Sequence, residues 1–347
     1  MKLCRIGDMK TIQQIKRYLF PSDLMADPAV HTWQGATWIY PSHDRDTGIP
    51  EQDDGSHFDM VDYHALRFEG DPMTAPVEDC GVLFCLKDVP WAKRQLWDSD
   101  ATETDGRYYI CFSAKDRTDT FRLGLAVADS PRGPFRPYAE PIAGSYSIDP
   151  CIFAEGNERY VIFGGLWGGQ LQRYRDNRMV YTAAEDRLPD GTRSPIEPEP
   201  IEMALSAKIA RLKPDMSGFA EAPRDLVIYT PDGQPVLAGD HERRFFEGAW
   251  LFKRGEIYYF AYSTGDTHLI AYATARSLEG PFIYQGTILT PVVGWTTHCA
   301  ITEIAGKWYL FHHDSVPSGG RTSLRSLKVC PLEFAADGSI RPIEGKD

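Results

Sequence analysis

The sequence predicts an all-β chain folded as a five-bladed β-propeller. Two observations carry that prediction. An aromatic strand pattern recurs five times, each copy behind a glycine-containing turn. A polar residue stands ten or eleven residues ahead of every copy. Self-similarity of this kind marks a repeat architecture in which each repeat is one supersecondary unit.

Taken in order, the first repeat runs from Asp27 through Gly35 to Trp38-Ile39-Tyr40. The second runs from Asp98 through Gly106 to Tyr108-Tyr109-Ile110, and the third from Asp149 through Gly156 to Tyr160-Val161-Ile162. The fourth runs from Glu247 through Gly255 to Tyr258-Tyr259-Phe260, and the fifth from His298 through Gly306 to Trp308-Tyr309-Leu310. Aromatic and β-branched runs behind glycine turns read as hairpins. Apolar runs from Leu123 to Ala128 and from Leu269 to Ala273 supply third strands, each followed by a Ser-x-x-Gly-Pro-Phe turn, Ser130 to Phe135 and Ser277 to Phe282. In a propeller the innermost strand of each blade lines the central channel, so a polar residue at its start faces the channel mouth. The alternative is a set of unrelated hairpins whose acids sit in turns; five matched offsets argue against it.

The chain's 347 residues fit one large all-β domain spanning 1–347, with 1–22 as a lead-in that includes a short helix over residues 9–19. The long stretch from Leu171 to Arg244 is expected to hold outer strands and loops, and the acid-rich run from Asp44 to Asp54 to be a solvated loop. A net charge of −12 argues against a nucleic-acid partner and suits a neutral substrate such as a sugar. The seven cysteines are odd in number and scattered, with no CxxC pair, so buried reduced thiols are expected. No apolar stretch approaches the ~20 residues of a membrane span, and residues 1–20 lack a secretory h-region. A cytoplasmic protein is the expectation.

Hydrolysis of an acetal needs one group to protonate the leaving oxygen and another to activate water or attack the anomeric carbon. Asp27, Asp149 and Glu247 are the candidates. Asp27 and Asp149 are each followed by proline and Glu247 by glycine, neighbours that shape the backbone where a strand begins. Glu247, between Phe246 and Trp250, is the expected acid, because apolar surroundings raise a carboxyl pKa.

Here the residues resemble glycoside hydrolase family 43. The motifs are Ala26-Asp27-Pro28, Ser147-Ile148-Asp149-Pro150 and Phe246-Glu247-Gly248-Ala249-Trp250, supported by Phe58-Asp59-Met60-Val61-Asp62-Tyr63 and the Ser130 to Phe135 turn. The resemblance runs from about Asp23 to Ile340. It implies inversion, with Asp27 as general base, Glu247 as general acid, and Asp149 orienting the acid and tuning its pKa. It implies a sugar site with Trp97 stacking on the ring, Phe58 in its wall and Arg325 clamping the sugar. It places His298 on the axis beside a bound calcium or a water cluster, with no cofactor required for the chemistry. A hydrogen-bonded core histidine and a plain core tryptophan are the competing readings of His298 and Trp97. Two departures stand out. Asp98-Ser99-Asp100 replaces the family's Ala-Pro-Asp, which is expected to add charge beside the sugar, and Ala249 replaces a common proline.

The expected activity is cleavage of pentose-containing oligosaccharides, of the β-xylosidase or α-L-arabinofuranosidase kind. Endo-arabinanase, galactosidase and fructosidase variants compete with it. The fructoside-cleaving variant lacks its Asn-Asp-Pro-Asn-Gly-type opening at Met25 to Ala29. A non-catalytic sugar-binding propeller would be favoured by loss of Asp27, Asp149 or Glu247, and all three are present.

Overall fold

The computed structural model describes residues 12, 14–186, 196–295 and 297–346. Five antiparallel sheets follow one another along the chain. Blade one holds Met25–Trp33, Ala36–His43, Asp62–Phe68 and Glu78–Cys85. Blade two holds Ser99–Thr104, Arg107–Asp116, Phe121–Ala128 and Arg136–Pro137, with the short strand Ala92–Arg94 paired to the far end of Arg107–Asp116. Blade three holds Cys151–Glu155, Glu158–Phe163, Ala207–Arg211 and Arg224–Leu226. Blade four holds Glu247–Arg254, Ile257–Ser263, Ile270–Ala275 and Phe282–Leu289, and gains a parallel strand, Ile228–Tyr229. Blade five holds Ala300–Ile304, Lys307–Asp314 and Ser326–Pro331.

The five aromatic repeats are the second strands of the five blades. The five turn glycines, Gly35, Gly106, Gly156, Gly255 and Gly306, all have positive φ. Gln34, Asp105 and Ala305 ahead of three of them are left-handed as well, the pattern of a two-residue hairpin whose twist matches its strands. The first strands of the blades touch one another in a ring, each contacting the next and the fifth returning to the first.

The lead-in closes that ring. Arg17–Tyr18 forms the outer strand of blade five, pairing with Val329 and Lys328, and the Leu19 N–H donates to the Leu327 carbonyl at 3.0 Å. The helix expected over 9–19 is therefore corrected at 17–18, where sheet pairing takes the backbone groups a helix would use; residues 9–11 and 13 of it lie outside the described residues. Cys111, Cys151 and Cys299 are buried free thiols as expected and Cys330 is buried too, whereas Cys80 and Cys85 are half-exposed; Cys4 lies outside the described residues. Among the described residues no helix is long and apolar enough to cross a membrane.

Candidate active site

The chain is bent at the axis so that two strand residues can face the channel. Pairing of Met25–Trp33 slips between Ala26 and Ala29, and pairing of Glu247–Arg254 slips between Glu247 and Trp250. Such bulges bend a strand and re-aim a side chain, and they tolerate a proline. Asp27 (φ +48°) and Asp149 (φ +58°) both sit in the left-handed region. For a non-glycine residue this costs on the order of 1–3 kcal/mol and concentrates at functional sites. Gly248 (φ +66°) admits no side chain: a Cβ there would lie 2.8 Å from the His298 ring.

All eight residues singled out from the sequence, Asp27, Phe58, Trp97, Asp98, Asp149, Glu247, His298 and Arg325, line one cavity of about 280 Å³. Beneath it lies a void of about 20 Å³ among Asp27, Asp98, Asp149 and His298, room for about one water.

The buried imidazole of His298 stands between four carboxylates. Its Nδ1 is hydrogen-bonded to Asp98 Oδ2 and lies 3.3 Å from Asp27 Oδ1. Its Nε2 lies 3.5 Å from Glu247 Oε1 and 3.9 Å from Asp149 Oδ2. Burial opposes its charge, but Asp98, Asp149 and Asp27 outweigh burial and raise its pKa well above the ordinary range. Two contacts and one ring bound the Asp27–Glu247 separation at roughly 9 Å, which admits the ~6.5–9.5 Å of a pair with water between them.

Three of these acids are held differently. Burial would raise Asp27, but Arg325 first and His298 next hold it far below the usual carboxylate range. Arg325 Nη1 donates to Asp27 Oδ1 at 2.8 Å. The backbone N–H of Asp27 donates to His313 Nδ1 at 3.1 Å. Burial and the charge of Asp27 push Asp98 up to about 7, against the pull of His298. Burial, with the charges of Asp98 and Glu247, raises Asp149 well above its usual range despite His298 and the Gly248 N–H, which donates to Asp149 Oδ2 at 2.9 Å. Asp149 thus fixes the peptide that follows Glu247.

Three placements differ from the sequence expectations. Asp98 binds His298 rather than standing as free charge beside a sugar. Arg325 engages its guanidinium with carboxylates: besides Asp27, Nε and Nη2 donate to Asp44 at 2.8 and 2.7 Å. The run from Asp44 to Asp54 is only partly a solvated loop, since Asp44 is buried in that ion pair and Glu51, Gln52 and Asp53 line the cavity. Trp97 donates its indole N–H to the Phe58 carbonyl at 2.7 Å, and packs with Met60, Phe121 and Ile148 in an apolar cluster separate from the main core.

Sequence reasoning missed Asp44, His313 and the segment 166–169 that also lines the cavity. His313 carried a usable signal, since it lies on the aromatic strand of blade five. Asp44 carried none, because its partner is 281 residues away.

The sequence profile of glycosyl hydrolases family 43 matches residues 80–202. The chain is 56% identical over 333 residues to a xylosidase/arabinosidase of Bacteroides ovatus, covering 96% of this chain and 98% of that one. It superposes on the structure of RS223-Beta-xylosidase with a TM-score of 0.90 at 53% identity, covering 96% and 99% of the two chains. It superposes on CoXyl43, a GH43 beta-xylosidase/alpha-arabinofuranosidase from a compost microbial metagenome in complex with xylotriose in a calcium-free form, with a TM-score of 0.89 at 47% identity, covering 97% and 99%. Likeness this high from one end to the other, around an axis ringed by carboxylates, makes this chain a member of glycosyl hydrolases family 43.

Proposed function

We propose that the chain hydrolyses xylosidic and arabinofuranosidic bonds at the ends of short pentose oligosaccharides. The class of reaction follows from membership: the chain is an inverting glycoside hydrolase. The pentose preference is supported by the names of its relatives and by the xylotriose bound to CoXyl43. The single observation that carries the mechanism is one imidazole standing between Asp27 and Glu247. Asp27, held ionised by Arg325, takes a proton from water as the water oxygen bonds to the anomeric carbon. Glu247 gives its proton to the leaving oxygen as the old bond breaks. Asp149 positions Glu247 through the Gly248 peptide. Trp97 and Phe58 form the wall on which an apolar sugar face rests.

The finer reading adds a calcium ion near His298. The donor set fits a hard cation: Asp27, Asp98 and His298 bring ligand atoms within 4.8 Å of one another, as do Asp149, Glu247 and His298. Among the described residues, Asp27 Oδ2 and Asp149 Oδ1 are buried with no hydrogen-bond partner. Calcium takes mostly oxygen ligands, so waters and these carboxylates would hold it; its charge would then replace that of a protonated His298, whose ring would be neutral with the ion bound. If a chelator leaves both activity and melting temperature unchanged, the ion has no part.

Proton NMR of the first sugar released from 4-nitrophenyl β-D-xyloside tests the main reading. Inverted α-xylose is expected. Retention, or turnover confined to aryl hexosides across a substrate panel, overturns it.

A further inference from the structure

We propose that His43, Asp62 and His64 form a site for a transition-metal dication of the zinc class, at the neck of the loop that walls the cavity. Asp62 and His64 are two apart on the strand Asp62–Phe68, so both side chains leave the same face. Ser42 pairs with Tyr63 in the antiparallel ladder, which brings His43 opposite Asp62. His43 Nδ1 lies 2.7 Å from Asp62 Oδ1, and the two imidazole centroids are 4.5 Å apart. One ligand atom from each of the three residues lies within 4.8 Å of the others.

Further carboxylates support both rings. Asp79 accepts from His64 Nδ1 at 3.0 Å through either oxygen, which fixes the tautomer and leaves Nε2 with its lone pair. Asp23 Oδ2 stands 3.4 Å from His43 Nε2, which marks Nδ1 as that ring's ligand atom. A carboxylate behind each ligating imidazole is how proteins orient metal-binding histidines. Two imidazoles and one carboxylate suit zinc, copper or nickel and disfavour calcium and magnesium, which take oxygen. Side-chain exposures of 21%, 22% and 11% for His43, Asp62 and His64 give an ion access and leave room for water as a fourth ligand.

Position gives the site a consequence. His43 ends one strand and Asp62 begins the next, so the ion would tie together both ends of the chain segment between them. That segment carries Asp44, Phe58 and Met60, which hold or touch Arg325. Metal binding would therefore stiffen one wall of the sugar site.

The test is calorimetric titration of the chelator-treated full-length protein with zinc chloride at pH 7.5, without substrate. One binding event is expected, with a rise in melting temperature. His43→Gln and His64→Gln should each weaken it at least tenfold. Asp79→Asn, which removes no ligand and changes a half-buried side chain to its near-isostere, should weaken it about 10–100-fold. His298→Gln should leave it in place, which separates this site from the axis. Absence of zinc binding overturns the proposal. So does an isotherm unchanged in His64→Gln and Asp79→Asn, or one lost only in His298→Gln. No outcome depends on glycosidase activity.

Discussion

Of the three buried histidines of blade five, His298, His312 and His313, the fold treats the first two in opposite ways. His298 stands before the inner strand Ala300–Ile304, and His312 lies on its neighbour Lys307–Asp314. His298 is raised well above its ordinary pKa by the acids around it, against burial. His312, fully buried, is pushed down to about 4 by burial and by Lys328. A hydrogen bond with the His313 backbone and the charge of Asp314 pull the other way without overcoming that burial. Lys328 is itself paired with Asp314 at 2.7 Å, so the nearest acid is already engaged. Surroundings set the charge of an imidazole, and here they separate a cation that organises the reacting groups from a neutral ring that only fills space. Substitutions at the axis should accordingly change turnover, and substitution of His312 should change stability alone.

The largest effect is expected at the base. Asp27→Ala should abolish turnover on every substrate, because it removes the carboxylate that Arg325 holds ionised in the cavity; measurable kcat with a good leaving group would refute the assignment. Next comes His298→Gln, which keeps hydrogen-bonding capacity and removes the charge between four carboxylates. A loss of about 10²–10³ in kcat is expected, the scale seen when a fixed electrostatic partner is removed. Equal activity of His298→Gln and wild type would erase the contrast between the two rings.

A smaller and more diagnostic change is Arg325→Leu. Arg325 is the leading favourable partner that holds the pKa of Asp27 down. Without it Asp27 gains a proton more readily. The acidic limb of kcat/KM should then move to higher pH by about one unit or more. An unmoved limb would show that Arg325 serves only to contact the sugar, the role the family resemblance implies for it.

The sequence showed the blades and the five axial residues because both follow a short-range period: a polar residue, a strand, a glycine turn and an aromatic strand recur within about a dozen positions. It did not show what those residues bind. The Asp98–His298 contact joins residues 200 apart, and the Arg325–Asp44 pair joins residues 281 apart. Their partnership depends on how five blades close a ring, which no local pattern encodes. The same cause hid the loop after His43. Its acids read as solvated charge, yet Asp44 turns inward because Arg325 arrives from blade five to meet it.

The smallest effect is expected at His312, and its sign can be worked out. The unfolded chain binds a proton near pH 6.5, while the folded ring stays neutral down to about 4. As pH falls between those values, the unfolded state gains protons that the folded state refuses. Stability present above pH 6.5 is therefore lost toward pH 4, by at most about 3 kcal/mol. Asp27 and other depressed carboxylates also lose stability in acid, but they do so in wild type and variant alike. The difference between the two curves isolates the ring. In His312→Leu, melting temperature should fall less steeply between pH 6.5 and 4.5 than in wild type, by a few degrees across the interval. Activity at pH 7 should be unchanged, since His312 does not line the cavity. Parallel melting curves would mean that the folded protein lets His312 take a proton, and the opposition between the two histidines would fall.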